Sequence, residues 1–216
     1  MVLSTSRIAV RVSRAVAAGR LRPVGLNLYT PRLTGPLDEL VRAHVWTVAG
    51  MLAPGSVVSF RTALERRPAP DGMVVLVGQS RYDRDLPGLR LRVVRGPGPQ
   101  PGDEPFEGGL FLASRARALL DALRPSRRRG AVARGLSETE AEALLREERA
   151  RQGEAALIGL RERAALLAGP LAAAAEYETL ARLVAGLVTA RPPATATTRA
   201  SAGQESGAWV GGRGLL

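Results

Sequence analysis

Cysteine is absent from the 216 residues, which excludes disulfides, thiolate zinc sites and cysteine nucleophiles. Histidine occurs once, at His44, so neither a His–His metal pair nor a Cys–His catalytic pair can be assembled. Lysine is also missing. All 31 basic residues are arginine, so every positive side chain is a permanently ionised planar fork suited to phosphate. Aromatic residues make up only 4%, which leaves core packing to Leu, Val and Ala. No apolar run approaches the roughly 18–20 residues needed to span a bilayer. The N-terminal stretch MVLSTSRIAVRVSRAVAAG threads arginine through its apolar residues, where the hydrophobic part of a secretory signal would be uninterrupted. A cytoplasmic protein with no membrane contact is the expectation.

What is present is positive charge, unevenly placed. The net charge is +11. Residues 1–35 carry Arg7, Arg11, Arg14, Arg20, Arg22 and Arg32 and no acid, a local charge of +6. Residues 36–123 nearly balance, with 11 arginines against 10 acids. The stretch 124–134 adds Arg124, Arg127, Arg128, Arg129 and Arg134, again without an acid. Two concentrated basic segments are the electrostatic footprint of a nucleic-acid binder.

Residues 5–19 read as an amphipathic helix, with Thr5 or Ser6 as cap and Gly19 as its close. Ile8, Val12, Ala15 and Val16 share one face, and Arg7, Arg11 and Arg14 share another. Leu21 to Thr30 then alternate around Gly25 and Asn27, the residues able to turn, as a short hairpin. A basic helix followed by a two-stranded wing is the second half of a winged helix. In that reading Arg11 and Arg14 enter the major groove and Arg7 meets a phosphate. Arg20, Arg22 and Asn27 follow the backbone or minor groove through the wing, and Arg32 is a further DNA-contacting candidate. The plainer alternative is a surface helix with three exposed arginines.

Helical spacing predicts one further helix over 37–53 and strands at Val57–Phe60, Met73–Gly78, Leu89–Val94 and Leu110–Leu112. Ser114 caps a helix through Leu123, and Ser137-Glu-Thr-Glu is a capping box opening a helical stretch that Gly169-Pro170 interrupts. The fold class is thus α+β: a partial N-terminal winged helix (1–35), a mixed α/β middle domain (36–123), a basic connector (124–136), a helical segment (137–191) and a disordered tail (192–216). Arg127, Arg128 and Arg129 in the connector read as a second phosphate contact, an acidic-partner site or a solvated linker.

Catalytic readings are poorly supplied. The Gly96-Pro-Gly-Pro-Gln-Pro-Gly run fails as a phosphate loop, because proline has no N–H to donate. Asp83, Asp85, Asp103, Glu104 and Glu107 would form a nuclease-like metal site only if their predicted loops converge; solvated acids are the simpler reading. No catalytic residue, metal or cofactor is assigned.

Three segments resemble AbiEi-type antitoxins of type IV toxin–antitoxin systems. They are Gly19-Arg-Leu-Arg-Pro-Val-Gly-Leu-Asn-Leu-Tyr-Thr-Pro, Pro54-Gly-Ser-Val-Val-Ser-Phe-Arg-Thr-Ala-Leu and Leu112-Ala-Ser-Arg-Ala-Arg-Ala-Leu-Leu-Asp. Further segments, Arg67-Pro-Ala-Pro-Asp-Gly, Leu86-Pro-Gly-Leu, Arg95-Gly-Pro-Gly-Pro-Gln-Pro-Gly-Asp and Leu123-Arg-Pro-Ser-Arg, are similar to the AbiEi-like front region of some bacterial Fic proteins. The HPFxxGNGR motif of Fic enzymes does not occur, and the single His44 is followed by Val45-Trp46. The first resemblance implies a non-catalytic, DNA-binding transcriptional regulator that occupies an operator and restrains a cognate toxin. The second implies the regulatory front half of a Fic-type AMP or nucleotidyl transferase, an interaction module for a Fic-type catalytic domain. The family's winged helix has one or two more helices ahead of the reading helix, and a Fic protein continues beyond residue 191, so a truncated gene product is a further expectation.

Overall fold

The computed structural model describes residues 1–125 and 135–189. The chain opens with β1 (Val2–Leu3), α1 (Ala9–Ala17), β2 (Arg22–Gly25) and β3 (Leu28–Thr30). These strands form an antiparallel sheet in the order β1-β3-β2. The hairpin expected from the alternation around Gly25 is therefore present, with a third strand that two residues ahead of a basic helix gave no periodicity to reveal.

The predicted 37–53 helix is two helices, α2 (Leu37–Ala43) and α3 (Val45–Leu52). They part at His44, whose φ of −122° leaves the helical region. The break lets Leu40 and Val41 on one piece, and Val45, Val48 and Ala49 on the other, each turn inward. Further on, α3 runs so close to a 3₁₀ turn at Glu107–Gly109 that a Cβ on Gly50 would lie 2.0 Å from the Gly108 carbonyl oxygen. Only glycine permits that approach.

Then come β4 (Val57–Val58), α4 (Phe60–Glu65), β5 (Met73–Gly78), β6 (Tyr82–Leu86), β7 (Leu89–Arg95), β8 (Glu104–Phe106) and β9 (Leu110–Leu112). The predicted 57–60 strand is thus shorter, because Phe60 already begins α4. The second sheet has the order β6-β7-β5-β4-β9-β8. The pairs β5–β7 and β4–β9 are parallel, while the central β4–β5 pair and the outer pairs β6–β7 and β8–β9 are antiparallel. Every residue of β5 is buried, as a central strand with both faces covered requires. The edges are the strands that periodicity missed. Tyr-Asp-Arg-Asp-Leu on β6 and Glu-Pro-Phe on β8 lack an apolar run, and charge or proline is how edge strands resist further pairing.

Helices α5 (Arg115–Leu123), α6 (Glu138–Gln152), α7 (Glu154–Ala168) and α8 (Ala174–Thr189) complete the described chain. None of the described helices is long and apolar enough to cross a membrane. The helical stretch after Ser137 is broken at Gly153 (φ 82°) as well as at 169–173.

Two hydrophobic cores result, and they cut across the segments drawn from sequence. The first surrounds the six-stranded sheet and includes Val24 and Leu28 of the small sheet, so the wing packs on the middle domain. The second joins Ala116, Leu119, Leu120 and Ala122 of α5 to Leu145, Leu157, Leu160, Leu180 and Val184 of α6–α8. Helix α5 faces both, since Ala118 belongs to the first core.

At that junction Arg117 is fully buried (0% exposed). It donates to the Gly98 and Pro97 carbonyls at 2.9 and 2.8 Å and pairs with the buried Asp103 carboxylate. Asp103 also accepts from the Ser114 and Gln100 N–H groups, both at 2.8 Å. Asp121, one turn along α5, accepts the Ser59 hydroxyl at 2.7 Å. Burial pushes the Asp121 carboxyl above its ordinary range, against the Ser59 hydrogen bond and the Arg117 and Arg124 charges.

Two predictions follow from this packing. Arg117→Met leaves Asp103 buried without its counter-charge and should cost about 3–5 kcal/mol, read from urea unfolding. The second concerns the capping box on α6, where Ser137 Oγ accepts from Glu140 N–H and the Glu140 carboxylate accepts from Ser137 N–H. The Ser137 N–H foremost, then its hydroxyl and Arg61, hold the Glu140 carboxyl below its usual value. A carboxyl depressed in the folded state contributes stability above its unfolded pKa and loses it as pH falls through the folded value. Ser137→Ala should therefore cost about 1 kcal/mol at neutral pH, and the gap from wild type should narrow when the urea midpoints are measured in acid.

Candidate nucleic-acid interface

The basic helix is shorter than expected. Thr5 and Ser6 do not cap it with a side chain. They form a turn in which Ile8 N–H meets the Thr5 carbonyl at 3.0 Å, and Ile8 is the N-cap. Arg7 consequently lies just before α1, and Arg11 and Arg14 lie on it. The helix ends as expected at Gly19 (φ 65°), whose N–H bonds the Val16 carbonyl, while Arg20 N–H reaches back to Ala15. That double closure satisfies carbonyls the last turn would otherwise leave open.

One face of α1 is inward, with Val12 buried and Ile8, Ala15 and Val16 half-buried. At 3.6 residues per turn, Val10, Arg14 and Arg11 project within an arc of roughly 100° on the side away from it, and Arg7 sits in the turn that precedes the helix. All four are exposed, Val10 at 64%. Val10 escapes a reading of the sequence, because a lone valine in an apolar-periodic stretch looks like core.

The wing turn uses Leu26 (φ 50°) and Asn27 (φ 61°) in its two central positions, with Gly25 (φ 133°) entering it. Two left-handed residues give the twist that closes a two-residue hairpin. The Asn27 carbonyl accepts Ser4 N–H at 2.8 Å, which ties the tip to β1, and its side chain is exposed. Arg20 and Arg32 are exposed. Arg22 is different: half-buried, its guanidinium donates to the Gly35 carbonyl at 2.9 Å and braces the loop leaving the wing.

The six N-terminal arginines form no ion pair with any described residue, and the first pair along the chain is Asp38–Arg42. Elsewhere the pattern is the reverse, with Arg61 meeting Glu65 and Glu140, and Arg115 meeting Glu148. The positive charge of the wing and helix is thus not cancelled by the remainder of the described fold. Arg127, Arg128 and Arg129 lie outside the described residues, as does the segment from 190 onward.

The five acids do not converge. Asp83 and Asp85 stand on β6, where Arg92 reaches them at 3.1 and 3.7 Å. Glu104 is on β8 at the opposite edge of the same sheet, Glu107 is in the 3₁₀ turn, and Asp103 is engaged by Arg117. No group of three His, Cys, Asp or Glu residues suited to a metal occurs among the described residues. His44 is exposed at the α2–α3 break.

Compared with known proteins, the chain matches no protein-family model, no curated protein and no solved structure.

Leucine is a poor occupant of a left-handed turn position, where its Cβ crowds the backbone. Leu26→Asn should raise the unfolding free energy by about 0.5–1 kcal/mol, measured as an increased urea midpoint at unchanged slope.

Proposed function

We propose that this protein is a DNA-binding transcriptional regulator similar to AbiEi-type antitoxins, which occupies an operator and restrains a partner toxin without converting a substrate. The observation that carries the reading is the outward arc of α1 together with the turn before it: the guanidiniums of Arg11, Arg14 and Arg7 and one exposed valine, none paired with an acid of the described fold. Four residues of helical rise separate Val10 from Arg14, about 6 Å along the axis, a length that the roughly 12 Å wide major groove admits.

Within that groove Arg11 and Arg14 can fork onto guanine O6 and N7, and Val10 can meet a thymine methyl. Arg7, ahead of the helix, is placed for a phosphate. Arg20, Arg32 and the Asn27 amide flank the helix as backbone contacts, and Arg22 keeps the wing's exit loop in shape. Phosphate contacts position the protein; the two helix arginines would carry the base preference.

Binding of a short DNA duplex, followed by fluorescence anisotropy from low to physiological salt, tests this. Affinity should fall steeply, because each neutralised phosphate releases counterions at a slope of about −0.9 in log K against log salt. The double variant Arg11→Ala, Arg14→Ala should bind at least tenfold more weakly, each lost charge-assisted contact being worth about 1.5–3 kcal/mol. Equal affinity in variant and wild type would sink the assignment of α1 to the groove.

A further inference from the structure

We propose that the crevice between the wing tip and β6 is a phosphate subsite for the backbone of bound nucleic acid, with Arg84 as its cation. The inference rests on the DNA reading above and extends the interface from the small sheet onto the middle domain.

The crevice has a volume of about 460 Å³, and Ser4, Leu26, Asn27, Met51, Leu52 and Arg84 contribute to its wall. Its polar side chains are one hydroxyl, one amide and one guanidinium. No carboxylate lines it, so its hydrogen-bonding groups suit an anion with several acceptor oxygens.

Strand geometry explains how a cation comes to be there on a strand reading Tyr-Asp-Arg-Asp-Leu. Side chains alternate along β6, so Tyr82, Arg84 and Leu86 share one face and Asp83 and Asp85 the other. Leu86 is packed under the wing, where a Cβ on Gly25 would come within 2.9 Å of its Cδ2. Arg84 therefore faces the same side as the wing, while Arg92 engages the two aspartates across the strand pair. The alternation separates the arginine from the acids beside it in sequence.

Arg84 is also held in place. Its guanidinium carbon sits 5.1 Å from the centre of the Tyr82 ring, and the Tyr82 hydroxyl donates to the Leu52 carbonyl at 3.0 Å. The ring is fixed to the end of α3, and the cation rests on the ring. A guanidinium ordered beforehand loses less freedom when it engages a phosphate. Across the crevice the Asn27 backbone carbonyl accepts Ser4 N–H, which fixes the point from which its exposed amide reaches into the subsite.

The experiment compares the full chain with Arg84→Ala and Arg84→Lys by anisotropy on a 20-base-pair duplex over a salt series, with thermal melts run alongside. Arg84→Ala should weaken binding roughly tenfold on every duplex sequence and make the salt slope shallower by about 0.9. Arg84→Lys should restore the slope, and all three proteins should melt cooperatively. If Arg11→Ala, Arg14→Ala weakens binding while Arg84→Ala alters neither affinity nor slope, the subsite is overturned and the DNA reading stands. If the unaltered protein shows no salt-dependent DNA binding, both fall. A third arm titrates inorganic phosphate alone. A melting shift that needs Arg84, with no effect of Arg84→Ala on DNA binding, would make the crevice a free-anion site and overturn its assignment to nucleic acid.

Discussion

The guanidinium of Arg117 is where the two cores are joined. Taking a cation out of water costs several kcal/mol even after relaxation. Here that cost is offset by the Asp103 carboxylate, two backbone carbonyls and the nearby Asp121 carboxyl. The two carbonyls and Asp103 belong to one loop, and Asp121 lies one turn further along α5. The carbonyls are those of Pro97 and Gly98 in the proline- and glycine-rich stretch, whose own side-chain hydrogen bonds come from Gln100 and Asp103. Asp103 holds the Ser114 N–H at the cap of α5, and Asp121 holds Ser59 at the entry to α4. Through Arg117 and its two carboxylates the loop and the entry to α4 beside the six-stranded sheet take fixed positions relative to α5, which buries Ala118 in one core and Leu119 and Leu120 in the other.

The same residue type does opposite work at the N-terminus. In a chain whose 31 basic residues are all arginine, charge count says little about where positive potential appears. Compensation decides that. Arg61, Arg90, Arg92 and Arg115 are each drawn to a carboxylate, and their fields are largely local. Arg22 is spent on a carbonyl. Arg7, Arg11 and Arg14 meet no carboxylate of the described chain, and neither does Arg84, because strand alternation turns its acidic neighbours to the other face. The field is shaped by geometry on top of composition.

Much of the local structure was legible in residues. Ser114 and Ser137 announce their helices because a hydroxyl followed three residues later by a free N–H is a local device. Gly19 ends α1 because glycine adopts a left-handed conformation at little cost. The run Met73–Gly78 reads as a buried strand from its valines alone. Legibility failed where a residue's role depends on something distant in sequence. Strands β6 and β8 carry no apolar alternation because each has one neighbour only. The break at His44 answers to two patches of core that are not adjacent in the chain. Val10 resembles a core residue until the helix is seen to bury the other side.

By itself, then, the sequence determined the α+β class, the helix starts and stops written in caps and glycines, and the concentration of arginine without a local acid before residue 36. These follow from short-range hydrogen bonding, side-chain periodicity and charge counting, all of which act within a few residues. Tertiary structure alone decided that the wing packs onto the middle domain, that α5 serves two cores, that Asp103 neutralises a buried arginine, and that Arg84 stands beside Asn27. Those outcomes depend on which surfaces are buried against each other and which charges are desolvated together, and neither is a property of any local stretch of chain.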